Sequence, residues 1–277
     1  MIDIQNLSFA YKNKPVFNGM SLEFKPGHLY GLLGKNGTGK TSLLKNIAGL
    51  LRPKAGNISV NGYTPFDRLP YFLQDLFFVP EEFYLPDIPV QKLIRYYASF
   101  YPQFSSENFS RYVAAFDIPA DSTLQNMSYG QKKKVLIAFA IATQARVLLM
   151  DEPTNGLDIT SKSQLRKILA EAHDEARCII ISTHQVKDLE NLIDRVTIID
   201  EGKIVFDQDV EAITQKMAFR FVYDEGELAD AFYSEALLKG NLMVGPNTDG
   251  EDSKLDLELL YKAIITSGNK ISKLFQS

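Results

Sequence analysis

Apolar and polar positions recur along this chain in an order that alternates short strands with helices. Residues 1–27 fit strands broken by a turn at Lys12-Asn13-Lys14-Pro15. Residues 28–33 form a short apolar run leading into a glycine-rich stretch, and 42–51 place apolar residues at helical spacing. Strand-like segments recur near 57–60 and 76–79. Residues 86–145 are mostly helical in pattern, with an apolar helix over 135–142. The run 147–150 fits a central strand buried on both faces. Residues 146–207 return to alternating strands and helices, which predicts a mostly parallel sheet with helices on both sides. A hairpin turn is expected at Asp200-Glu201-Gly202-Lys203. Beyond about 215 the character changes: 219–223 alternates like a strand, 247–252 is loop-like, and 255–265 is helix-like.

The glycine-rich stretch is Gly34-Lys35-Asn36-Gly37-Thr38-Gly39-Lys40-Thr41, followed by Ser42. It fits the pattern of a phosphate-cradling loop between a strand and a helix. The glycines allow a tight turn whose N–H groups face phosphate oxygens, and the helix that follows offers its positive end to the same anion. Lys40 is placed to carry charge to the β- and γ-phosphates, and the Thr41 hydroxyl is a candidate Mg²⁺ ligand. The competing reading, an accidental glycine turn, does not explain the strand before it and the helix after it.

The apolar run 147–150 ends in Asp151-Glu152. Carboxylates at the carboxyl end of a central parallel strand emerge beside a phosphate loop on the same edge. Asp151 would hold Mg²⁺ through water, since that ion dehydrates reluctantly. Glu152 would polarise the attacking water in a phosphoryl transfer. An ordinary strand ending in solvated acids is the alternative.

Composition sets bounds. The length of 277 residues suits one α/β domain with a small appendage, and a net charge of −4 argues against a dedicated nucleic-acid binder. The single cysteine, Cys178, permits no intrachain disulfide and reads as a small core residue in a reducing compartment. Residues 1–6 carry no basic apolar leader. No run reaches the roughly 20 apolar residues of a membrane span, and the longest candidate, 135–150, is broken by Gln144 and Arg146. A cytosolic protein is expected.

With these motifs in this order, 1–215 resembles the ATP-binding subunit of an ABC (ATP-binding cassette) transporter, in its export-type subfamily. The resemblance implies an α/β fold. It would have a P-loop NTPase core with a parallel sheet, an N-terminal antiparallel β-subdomain, an inserted helical subdomain at about 86–145, and a small α+β appendage at 216–277. The family's signature corresponds to Met127-Ser128-Tyr129-Gly130-Gln131, heading a helix that opens with the basic run Lys132-Lys133-Lys134. Ser128, Gly130 and Gln131 would then contact ATP held by a second subunit. Asn155-Gly156-Leu157-Asp158 matches the loop that bridges the subunits, and His184 matches the switch histidine beside the γ-phosphate. His28 and His173 read as structural or surface residues.

Tyr11 lies where family members stack an aromatic on adenine; Phe9 is its competitor, pointing the same way by strand alternation. Two positions depart from the pattern. Tyr129 replaces a glycine, and Glu81, after Phe78-Val79-Pro80, stands at the usual glutamine; Gln74 lies on the wrong side of the strand at 76–79. Glu81 remains an acceptable ligand for Mg²⁺ or its water. The aromatics Tyr96, Tyr97, Phe100, Tyr101, Phe104, Phe109, Tyr112 and Phe116 are read as core, with partner contact open for some of them.

The resemblance implies ATP binding and hydrolysis at a two-site interface, with ATP and Mg²⁺ as cofactors, driving transport by an integral-membrane permease subunit on another chain, in the export direction. The dimer would be ATP-dependent, a homodimer or a heterodimer with a second ABC subunit. The location would be cytoplasmic, peripheral on the inner face of the membrane through the permease, with no direct nucleic-acid contact. The alternatives are a soluble ABC ATPase acting in nucleic-acid or ribosome processes, which such families build with coiled coils, zinc cysteines or two cassettes absent here, and a non-hydrolysing regulatory cassette, which the presence of Glu152 and His184 opposes.

Overall fold

The structure is a computed structural model, describing residues 1–119, 121–248, 250 and 253–275. Of the loop expected at 247–252, positions 249, 251 and 252 lie outside the described residues. The chain opens with a hairpin of β1 (Ile2–Tyr11) and β2 (Lys14–Phe24). Next come β3 (His28–Leu33), α1 (Lys40–Ile47), β4 (Ala55–Val60), the short α2 (Pro70–Gln74) and β5 (Leu76–Val79). Three helices follow, α3 (Val90–Tyr97), α4 (Ser106–Ala115) and α5 (Tyr129–Ala142). The alternation then resumes with β6 (Val147–Asp151), α6 (Ile159–Ala172), β7 (Cys178–Thr183), β8 (Arg195–Asp200) and β9 (Lys203–Asp209). The final part holds α7 (Val210–Lys216), β10 (Met217–Val222), β11 (Tyr233–Leu237), β12 (Gly240–Pro246) and α8 (Leu257–Leu274).

The central sheet has the order β5-β6-β7-β3-β8-β9, parallel except for β9, which returns antiparallel through the hairpin at 201–202. Its inner strands are apolar runs because both faces are covered. Alternate residues serve two cores. Leu148, Met150, Ile179 and Ile181 pack with α5 and α6 on one side, while Val147, Leu149, Cys178 and Ile180 pack with α1 and the β2-β1-β4 sheet on the other. His28 and His173 are structural, as expected: their rings contact Asp194 Oδ1 at 3.1 Å and the Gly27 carbonyl at 3.1 Å.

The aromatic cluster of the helical segment divides. Phe109, Tyr112 and Phe116 are buried, whereas Tyr96, Tyr97 and Phe100 are exposed. The strand expected at 219–223 is β10, which forms a second small sheet, β10-β12-β11. The helix expected at 255–265 continues to Leu274, bending at Ser267, whose hydroxyl donates to the Phe232 carbonyl at 2.7 Å. Buried residues of α8 and β12 join the same core cluster as α5 and α6. Among the described residues no helix is long and apolar enough to cross a membrane.

The β8–β9 turn is packed against β2. Gly202 has φ +73°, and a Cβ there would lie 1.8 Å from the Val16 carbonyl oxygen. Gly19 has a similar φ of +70° but open space. Gly202→Ala is therefore expected to destabilise the chain by about 3 kcal/mol, combining strain with a backbone collision. Gly19→Ala should cost only about 1 kcal/mol. Urea unfolding of both variants checks the difference.

Candidate functional site

The parallel sheet delivers its functional residues to one edge. β3 ends at Leu33, the loop 34–39 follows, and α1 begins at Lys40. Gly39, just before that helix, has φ +111°, and a Cβ there would lie 2.6 Å from the Phe17 ring. Only glycine meets both conditions. Lys40 is buried, and its Nζ donates to the carbonyls of Gly34 at 2.7 Å and Lys35 at 3.1 Å. Burial lowers its pKa from the ordinary lysine value, opposed by the carboxylates of Glu152, Asp151 and Glu81. The Thr38 hydroxyl closes the loop on the Lys35 carbonyl at 2.9 Å, while Lys35, Asn36 and Gly37 face solvent.

The acid pair lies against this loop. Asp151, at the end of β6, accepts from Thr41 Oγ1 at 2.7 Å through Oδ2 and from Ser182 Oγ through Oδ1. Glu152 leaves the strand in the left-handed region, φ +45°, a conformation that costs a non-glycine residue energy and clusters at functional positions. Its buried Oε1 lies 2.7 Å from His184 Nδ1 and 3.9 Å from Lys40 Nζ. The structure thus brings together Lys40, Thr41, Asp151, Glu152 and His184. The side-by-side hard oxygens of Thr41 and Asp151 suit Mg²⁺.

A cleft of about 370 Å³ opens above the loop, lined by Tyr11, Asn36, Gly37, Gly39, Lys40, Thr41, Ser42, Glu81 and Glu152, together with Lys14 and Val16. Tyr11 is 45 % exposed and Phe9 is buried beneath it, edge-on at 4.9 Å, so Tyr11 is the ring that can stack on a planar ligand. The Ser42 hydroxyl reaches Tyr11 Oη at 3.3 Å. A larger apolar groove of about 770 Å³, lined by Leu50, Leu73, Phe77, Tyr84, Tyr97 and Phe100 among others, contains none of these polar groups and is a different feature.

Ser128, Gly130, Gln131 and Asp158 do not line the cleft of their own chain. Ser128 and Gln131 form a reciprocal cap at the start of α5: Gln131 N donates to Ser128 Oγ at 3.2 Å, and Ser128 N to Gln131 Oε1 at 2.9 Å. A Cβ on Gly130 would meet the Gly156 carbonyl at 2.7 Å, so glycine is needed there for close approach alone. Asp158 caps α6, accepting from Ser161 N at 2.8 Å and Ser161 Oγ at 2.9 Å, bonds that hold its pKa below the usual carboxylate value. The two departures from the family pattern meet: Tyr129 Oη donates to the Glu81 carbonyl, and Glu81 Oε1 accepts from Asn155 Nδ2 at 2.9 Å.

Sequence reasoning did not single out Ser182, Lys14, Val16 or Lys133. Ser182 was findable, because it lies two residues before His184 at the end of a strand. Lys133 also left a signal. Three lysines opening a helix oppose its dipole, so such a run calls for particular acceptors.

Comparison with known proteins agrees with this geometry. A family model described as "ABC transporter" matches residues 17–155. An uncharacterized ABC transporter ATP-binding protein of Methanocaldococcus jannaschii is 32 % identical over 246 residues, covering 86 % of this chain and 89 % of that protein. A Nod factor export ATP-binding protein I of Burkholderia orbicola is 34 % identical over 214 residues, covering 73 % of this chain and 68 % of that protein. Among solved structures, an ATP-binding subunit of an ABC transporter superposes with TM-score 0.70 at 26 % identity, over 77 % of this chain and 91 % of that one. With its phosphate loop, acid pair and histidine at one edge of the sheet, this chain belongs to the ABC transporter family, as an ATP-binding protein that hydrolyses ATP.

Proposed function

We propose that two copies of this chain close on two ATP molecules, and that their hydrolysis drives export through a separate membrane subunit. The observation that carries the reading is that Lys40, Thr41 and Glu152 line one cleft, with Asp151 bonded to Thr41 and His184 to Glu152. Tyr11 stacks on adenine. The backbone of 34–39 and the Ser42 turn receive the phosphates, and Lys40 turns from its loop carbonyls to the β- and γ-phosphate oxygens. Thr41, Asp151 and Glu81 are the residues that would hold Mg²⁺, which would supply positive charge to those oxygens. Glu152 accepts the proton of the attacking water. His184, hydrogen-bonded to Glu152, orients that carboxylate and the γ-phosphate.

The opposite subunit supplies Ser128 and Gly130 from a helix N-terminus, a natural anion site. Their position away from their own cleft supports this division of labour. Gln131 secures the cap, and the 155–158 turn with Asp158 bridges the two copies. The relative named for Nod factor export favours the export direction. The chain then works on the cytoplasmic side. The apolar groove suits a cytoplasmic segment of the membrane subunit: Tyr84 and Phe100, 82 % and 62 % exposed, offer aromatic surface of the kind that interfaces use as anchors.

Glu152→Gln is expected to lower ATP turnover by about 100-fold or more while ATP affinity changes less than about 2-fold, and to trap an ATP-bound dimer. Steady-state turnover, nucleotide titration and solution mass check this together. Unchanged turnover would remove Glu152 as the base.

Paired Tyr84→Glu and Phe100→Glu substitutions should reduce co-purification with the membrane subunit by about 10-fold or more, with turnover of the isolated chain held within about 2-fold. Pull-down against ATPase rate separates the two effects.

A further inference from the structure

Lys133 is fully buried, yet among the described residues it forms no ion pair. Its ammonium donates to two main-chain carbonyls, Glu152 O at 2.6 Å and Asn155 O at 3.2 Å. Burial lowers its pKa, and the carboxylates of Glu81, Glu152 and Asp151 oppose that shift. Burying an ammonium is costly, and an apolar side chain of similar volume would fill the space without that cost. The charge therefore serves the groups it touches.

Those groups are distinctive. Glu152 carries the left-handed backbone that turns its carboxylate toward His184 and Lys40. Asn155 carries the amide that holds Glu81. The next lysine continues the grip: Lys134 Nζ donates to the Phe116 carbonyl at 3.0 Å and reaches Ser161 Oγ at 3.3 Å, the residue that Asp158 caps. Lys133 and Lys134 thus bind the 152–161 segment at both ends. Both project from α5, the helix that Ser128 and Gln131 cap.

We propose that Lys133 is a positioning residue: it ties the backbone of Glu152 and the turn at Asn155 to the helix headed by Ser128, so that the base is set by the placement of that helix. This rests on the reading of Glu152 as the base. Helix α5 then carries a shift at Ser128, where the opposite subunit's ATP would bind, to the base of its own site through two hydrogen bonds.

The test uses the full chain with Lys133→Met, which keeps length and loses the donors. It also uses Lys133→Gln, which keeps a donor for one carbonyl and carries the same test if the methionine variant does not fold. The expected result is a fall in kcat of roughly 10- to 100-fold in Lys133→Met, the scale of a small misplacement of a reacting group. Lys133→Gln should lie between it and the parent, with KM and ATP affinity unchanged in both. Amide exchange should rise at 152–157 while 34–41 and the β3, β6 and β7 amides keep their protection. An unchanged kcat overturns the proposal. So does a fall in kcat that comes with lost ATP affinity and faster exchange throughout the sheet, because Lys133 would then only hold the fold. Absence of turnover in the parent would instead refute the hydrolytic reading of the site.

Discussion

The site depends on the register of three parallel strands. Leu33 of β3 stands opposite Thr183 of β7, and Asp151 of β6 opposite Ser182. The phosphate loop, His184 and the acid pair therefore leave the sheet at one edge, within a residue of each other. Side chains alternate along a strand, so a slip of one residue in β6 would exchange Val147 and Leu149 with Leu148 and Met150 between the two cores. Each core is filled for its own set, which holds the register. The hydrogen bond from Ser182 to Asp151 fixes it at the edge that matters.

The same edge concentrates charge in a dry place. Lys40, Lys133, Asp151 and Glu152 are all 6 % exposed or less. Such groups are tolerable only when each has a partner. Here the two ammonium groups sit on main-chain carbonyls, and the two carboxylates sit on hydroxyls and an imidazole. Under the proposed function this arrangement would be preorganised: a phosphate arriving at Lys40 would replace loop carbonyls as its partner, and neither acid would have to move far. Glu81 and Asn155 extend the network to Gln185, whose amide donates to Asn155 Oδ1 at 3.1 Å beside His184.

The strands were legible where physics writes them plainly. Segments buried on both faces appear as apolar runs, and β5 occupies 76–79, where the run placed it. The phosphate loop was legible because close backbone approach demands glycine at fixed spacing. Features made by tertiary contact were not. Tyr129 and Glu81 lie 48 positions apart, and only the fold shows that one hydroxyl joins them. Helical spacing gave no means of separating buried Phe109 from exposed Phe100, since the difference lies in tertiary packing: Phe139 of α5 covers Phe109. The helix-like pattern read at 255–265 stops short of the end of α8, because the chain bends at Ser267 and then continues to Leu274. The basic run at 132–134 was seen as one feature. The structure gives Lys133 and Lys134 separate acceptors and leaves Lys132 half-buried.

The central claim is that one chain's phosphate loop and the other's Ser128 hold the same ATP. Crosslinking tests it directly, by mixing a chain carrying Asn36→Cys with one carrying Ser128→Cys and adding a short thiol-reactive linker with and without Mg²⁺ and ATP. The native Cys178 is 1 % exposed and burial pushes its thiol up to about 12, so it stays silent. The account predicts an ATP-dependent link between positions 36 and 128 of different chains, identified by peptide mass. Bound ATP with no such link would contradict it.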